Sequence, residues 1–87
     1  MMKINYSSNF KVAVQKLSPE IKKQLKKKLE LMLVNPRHPS LRSKKVQGTD
    51  NIFEASINMD IRMTWQYTSD GILLRNIGEH DPTLKNP

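Results

Sequence analysis

The sequence predicts an α+β fold. One strand leads into a two-helix hairpin, and an antiparallel meander of three to four strands follows, with both helices on one face of the sheet. Three observations predict it. Two stretches within the first 35 residues repeat apolar residues at helical spacing. Three stretches in the second half alternate apolar and polar residues. Clusters of Ser, Pro, Asn, Asp and Gly separate these segments. At 87 residues the chain has room for one domain, spanning 1–87, whose small core buries about 60–65% of the surface of the unfolded chain.

The elements follow in order. Met2, Ile4 and Tyr6 alternate with Lys3 and Asn5, the period of a short strand. Ser7, Ser8 and Asn9 can each accept from a free backbone N–H and so cap a helix. Phe10, Ala13, Val14 and Leu17 then form one apolar helical face. Ser18-Pro19-Glu20 stops that helix and starts another, because Pro at the first helical position lacks only an N–H that would have no partner. Ile21, Leu25, Leu29 and Met32 line one side of a second helix over 19–34, with Lys22, Lys23, Lys26 and Lys27 on the other. Pro36 and Pro39 make 35–40 a loop. The charges of 42–47 suit an exposed edge strand, and 48–51 form a turn. Strands are predicted over 52–58, 61–67 and 72–77, joined by hairpin turns at Met59-Asp60 and Ser69-Asp70-Gly71. The sheet face away from the helices is expected to be open, with Glu54, Ser56, Arg62 and Thr64 on it.

Composition narrows the function. Fifteen Lys and Arg stand against eight Asp and Glu, a net charge of +7, and such a field attracts RNA, DNA or an acidic protein segment. The absence of cysteine removes disulfides, thiolate catalysis and Cys-type zinc sites. No segment approaches the roughly 20 apolar residues of a membrane span, and the start lacks the apolar run of a signal peptide. The expectation is a cytoplasmic protein without membrane partners.

Four segments, in this order, resemble the RelE/ParE superfamily of toxins from toxin–antitoxin modules. They are the post-helix loop Asn35-Pro36-Arg37-His38-Pro39-Ser40-Leu41-Arg42; Lys44-Lys45-Val46-Gln47-Gly48, similar to a K-L-x-G strand end; Asp60-Ile61-Arg62-Met63-Thr64-Trp65-Gln66-Tyr67, similar to a Y-R-x-x-Y strand; and Ile77-Gly78-Glu79-His80-Asp81, similar to the G-T-H ending of the YafQ-like branch. The resemblance covers nearly the whole chain. It implies either ribosome-dependent cleavage of mRNA in the A site, as in RelE-like members, or non-enzymatic inhibition of gyrase, as in ParE-like members. A catalytically weak homologue that only binds its antitoxin is the third reading. In each case it implies a cognate antitoxin, for which an acidic segment would suit the +7 charge, and operator DNA is expected only through that antitoxin.

The cleavage reading implies chemistry without metal or other cofactor. The RNA 2′-OH attacks the adjacent phosphate and the 5′-oxygen leaves, so the site must remove a proton, supply one and stabilise a phosphorane. His80 is the candidate proton carrier, since imidazole titrates near pH ~6.5. Arg62 is the candidate phosphorane clamp, because a guanidinium can bind phosphate oxygens in pairs. Glu54 and Asp60 are the candidate bases. Arg42, Lys44, Lys45, Lys23, Lys27 and Arg37 are the candidate RNA and ribosome contacts, and His38 is read as a loop residue outside catalysis. Two departures from the family stand out. Glu54 and Ser56 occupy positions where RelE carries two lysines, and no aromatic follows His80, only Asp81-Pro82-Thr83-Leu84.

Overall fold

A computed structural model describes residues 3–87; Met2, assigned above to the first strand, lies outside the described residues. The elements are β1 (Lys3–Tyr6), α1 (Ser8–Gln15), α2 (Pro19–Val34), a 3-10 turn (Pro39–Leu41), β2 (Lys44–Lys45), β3 (Phe53–Ser56), β4 (Ile61–Tyr67), β5 (Gly71–Glu79) and α3 (His80–Lys85). They form an α+β fold around a five-stranded mixed sheet of order β1-β5-β4-β3-β2. β1 runs parallel to β5, and the other neighbours are antiparallel.

The caps are those expected of the sequence. Ser7 accepts from the Phe10 N–H at the head of α1, and its hydroxyl donates to the Arg75 carbonyl, fastening the helix to the sheet. Ser18 accepts from the Ile21 N–H, and Pro19 opens α2. Phe10 of α1 and Leu25 and Met32 of α2 meet Ala55, Met63, Trp65, Leu74 and Ile77 of the sheet in one apolar cluster. Phe53 stacks on Trp65 with ring centroids 4.8 Å apart. Both long helices therefore cover the same face.

The strands differ from expectation in instructive ways. The predicted edge strand over 42–47 shrinks to Lys44–Lys45. Arg42 instead closes the 3-10 turn with a left-handed backbone, φ 50°, and the Ser43 hydroxyl turns back to the Pro36 carbonyl. The strand expected over 52–58 ends at Ser56, because the Asn58 side chain accepts from the N–H groups of Asp60 and Ile61 and bends the chain. β5 is longer than the predicted 72–77 at both ends. Its first residue, Gly71, lies so close to β1 that an added Cβ would collide with the Lys3 backbone.

The largest difference is α3. The tail was expected to leave one sheet face open, yet it forms a helix across that face. A Cβ on Gly78 would sit 2.8 Å from the Thr83 hydroxyl, and Gly78 is the cross-strand partner of Arg62, so α3 lies on Arg62's side of the sheet. The Asn76 side-chain amide donates to the Asn86 carbonyl at 3.0 Å, and Arg75 Nε reaches the Pro87 carbonyl at 3.4 Å. Under this cover Glu54, Thr64 and Thr83 are buried. No helix of the described residues is long and apolar enough to cross a membrane.

Candidate active site

Strand register assembles the face beneath α3. Lys44 pairs with Glu54, Glu54 with Thr64, and Ser56 with Arg62. Partners across a ladder point to one side, so these side chains share a face. α3 enters from the end of β5 and sets His80 beside it, where the His80 N–H donates to the Asp60 carbonyl at 3.0 Å.

A cavity of about 520 Å³ results, lined by Lys44, Lys45, Glu54, His80, Leu84 and Lys85 among others. It unites one expected proton carrier, one expected base and two expected cations, drawn from segments that lie far apart in sequence. Glu54 is only 5% exposed, which holds its carboxylate in place.

His80 Nδ1 lies 2.8 Å from Asp81 Oδ1. An ionised carboxylate can only accept, so Nδ1 carries the hydrogen and Nε2 is the nitrogen left for other work. The hydrogen bond from His80, and then its charge, hold the Asp81 carboxyl below the ordinary carboxylate range. Asp81 was not singled out from the sequence. An acid directly after the candidate His was the available signal.

Arg62 is placed otherwise than a free clamp would be. Its Nη1 donates to the carbonyls of Asn58, Met59 and Ile61 at 2.7, 3.1 and 3.2 Å, bracing the β3–β4 turn. Its Nε faces Glu54 Oε1 at 3.9 Å, an ion pair too long for a hydrogen bond. Arg62 lines a second cavity, with Lys28 and Arg42. Asp60 lies on a third side, exposed, in a cavity it shares with Glu79, His80 and Asp81. His80 thus touches two cavities, one holding each candidate base.

The remaining expected contacts are dispersed. Lys23 and Lys27 stand exposed on α2 and line none of these three cavities. The Arg37 guanidinium lies 5.3 Å from the centre of the Phe53 ring, a cation–π contact. His38 Nδ1 accepts from the Ser40 N–H at 3.1 Å and caps the 3-10 turn, which gives it a structural task.

No protein-family model matches the chain, and no curated protein matches it in sequence. Solved structures do match in shape. YafQ of E. coli strain BL21(DE3) superposes with a TM-score of 0.78 at 17% identity, covering 94% of this chain and 97% of that one. The RelB–RelE antitoxin–toxin complex of Methanococcus jannaschii gives 0.75 at 17% identity, with coverage of 94% and 96%. The intact E. coli RelBE toxin–antitoxin complex gives 0.74 at 19% identity, with coverage of 93% and 99%. The chain has the fold of the RelE and YafQ toxins.

Proposed function

We propose that the chain is the toxin of a type II toxin–antitoxin module and inhibits translation by cutting mRNA at the ribosome. The observation that carries this reading is the shared cavity of Glu54, His80, Lys44 and Lys45, within a fold whose solved relatives are toxins. Glu54 takes the proton of the RNA 2′-OH as its oxygen bonds to phosphorus. Protonated His80 gives a proton to the 5′-oxygen as the P–O bond breaks, leaving a 2′,3′-cyclic phosphate and a 5′-OH. Lys44, the register partner of Glu54, neutralises the charge of the phosphorane, where positioned cations act most strongly, and Lys45 beside it on the edge strand holds the RNA. Arg62 fixes Glu54 from behind. Asp60 supports His80 through its backbone carbonyl, and its carboxylate is the alternative base. Arg42, Arg37, Lys23 and Lys27 hold the RNA and the ribosome. The neutralising partner is an antitoxin with an acidic segment that lies over this basic surface, and any contact with operator DNA is made through it. The setting is the cytoplasm, the domain is 1–87, and the chemistry uses no metal or other cofactor.

The test is to add the purified chain to translating ribosomes and map mRNA ends by primer extension, with His80→Ala and a ribosome-free reaction alongside. New ends at A-site codons that vanish in both controls are expected. Folded protein that produces no ends overturns the reading. One observation favours a second reading, a non-enzymatic inhibitor of gyrase or a homologue that only binds its antitoxin: Arg62 spends Nη1 on three carbonyls instead of facing the cavity. Gyrase inhibition, or antitoxin binding alone, by a protein that leaves mRNA intact would establish it.

A further inference from the structure

A second basic cavity lies apart from the one that holds His80, and of its residues the reading above uses only Arg62, behind Glu54, and Arg42, as an RNA contact. It measures about 600 Å³ and is lined by Lys28 of α2, Ser40 of the 3-10 turn, Arg42, Ser56 of β3, Asn58 and Arg62 of β4, with Met59 at its rim. Three of the nine lining residues are cations and none is an acid. The cations come from three separate segments, so the cluster is not the charged outer face of one helix.

The local structure builds this arrangement. His38 caps the 3-10 turn and so sets Ser40. The turn ends with the Arg42 N–H donating to the Pro39 carbonyl at 3.1 Å, which leaves Arg42 left-handed and exposed. Non-glycine residues seldom hold that backbone, and the turn sets the direction in which the Arg42 side chain leaves the chain. Lys28 Nζ donates to the Ser40 carbonyl at 3.0 Å, which holds the ammonium at the mouth and leaves it two further donors.

We infer that this cavity is a phosphate subsite for single-stranded RNA, which takes a backbone phosphate neighbouring the one cleaved beside His80. The inference rests on the proposed RNA target. Arg62 joins the two sites: its Nε faces Glu54 of the first, while Nη1 is bound to the hairpin that walls the second. A strand crossing the hairpin base meets Lys44 and Lys45 on one side, and Lys28 and Arg42 on the other. The hydroxyls of Ser40 and Ser56 offer donors to phosphate and ribose oxygens, while the Asn58 amide, which donates to Gln24 Oε1 at 2.8 Å, shapes the wall. An acidic peptide is a poorer fit, since protein partners rely on apolar anchors at the centre of the contact and Met59 supplies one only at the rim.

The experiment measures binding of a short single-stranded RNA with 2′-O-methyl riboses to the full chain by fluorescence anisotropy across salt concentrations. Without a free 2′-OH this RNA cannot be cut, so binding reports on the subsite whether or not the chain is a nuclease. Lys28→Gln/Arg42→Gln should weaken binding about tenfold at low salt. It should also flatten the slope of log affinity against log salt by about 0.7, the value for one single-strand phosphate that is no longer neutralised. Arg42→Gln alone, which leaves the Lys28–Ser40 bond in place, should give about half that change in slope. Lys11→Gln/Lys16→Gln removes equal charge from the α1 segment and should change affinity less than about twofold. Equal losses in the two double variants would mean a diffuse field and overturn the site, as would an unchanged slope in Lys28→Gln/Arg42→Gln. So would a Glu-rich peptide whose binding, unlike that of the RNA, depends on Lys28 and Arg42. Cleavage at the ribosome with an unchanged slope would remove this inference and leave the proposed function standing.

Discussion

The two faces of the sheet are held by different means. On one, Ala55, Met63, Trp65 and Leu74 pack against Phe10, Leu25 and Met32 from two helices in continuous apolar contact. On the other, Glu54, Thr64 and Arg62 lie beneath a six-residue helix fastened by a close Gly78–Thr83 contact and by hydrogen bonds from Arg75 and Asn76. Apolar burial stabilises by about 25 cal/mol per Å², whereas a hydrogen bond contributes about 0.5–1.5 kcal/mol net. The first face therefore carries most of the stability. That frees the second to hold a buried carboxylate, Glu54, beneath a short helix.

Three substitutions separate the faces. Trp65→Ala should lower the unfolding free energy by about 3–5 kcal/mol, read by urea denaturation. A loss below about 1 kcal/mol would mean that the helical face is not the anchor. Gly78→Ala comes next. Its methyl group meets the Thr83 hydroxyl at 2.8 Å, and relieving such overpacking costs about 1–3 kcal/mol. Hydrogen exchange should rise in residues 80–85 while α1 and α2 stay protected, and Gly78→Ala/Thr83→Ala should recover part of the loss. Exchange rising equally in the long helices would show the two faces to be one cooperative unit.

The smallest effect belongs to the His80–Asp81 pair. The carboxyl of Asp81 is depressed in the folded chain, so its contribution is fully present above the ordinary carboxylate pKa of about 3.9. It is lost as pH falls through the lower folded value. Asp81 is exposed, so the clear readout is its carboxyl titration by NMR. In His80→Gln that titration should return towards the ordinary range, and an Asp81 still depressed there would deny the pairing.

Much of the fold was legible in the sequence. α2 and β4 occupy the residues predicted, because each couples an unbroken apolar period to a clear start and stop: Ser18-Pro19 and Asn35-Pro36 for the helix, the Met59-Asp60 and Ser69-Asp70-Gly71 turns for the strand. β2 was less legible, since charge alternation shows exposure and not hydrogen bonding, and the turn at Arg42 consumed its first residues. α3 was not legible, because its six residues show no apolar period and include Pro82. Yet that proline falls in the first turn, where the N–H has no helical partner, and Asp81 beside it suits the positive end of the helix. Within the site, Glu54 and His80 were legible as candidates from residue type and position, whereas their shared cavity is a product of the fold. The bracing role of Arg62 was not legible, because it depends on where the hairpin carbonyls turn. Lys28 was hidden among the lysines of α2, and only the fold distinguishes it from its neighbours.

Gly71 has a consequence for self-association. β1 joins the sheet by parallel pairing to a strand that begins 68 positions after its own first residue, and it nests against a residue that has no space for a side chain. Loop-closure entropy makes such a pairing costly to form, and any larger residue at 71 would lift β1 away. The first half of β5 would then present unpaired N–H and C=O groups to solvent, beside a displaced strand of matching sequence on every other copy. The β1 of another copy would meet the same obstruction at 71, so strand exchange could not restore the pairs, and the bare edge would be left open to less specific pairing. One glycine thus keeps the edge of β5 covered and closed to other copies of this small basic chain.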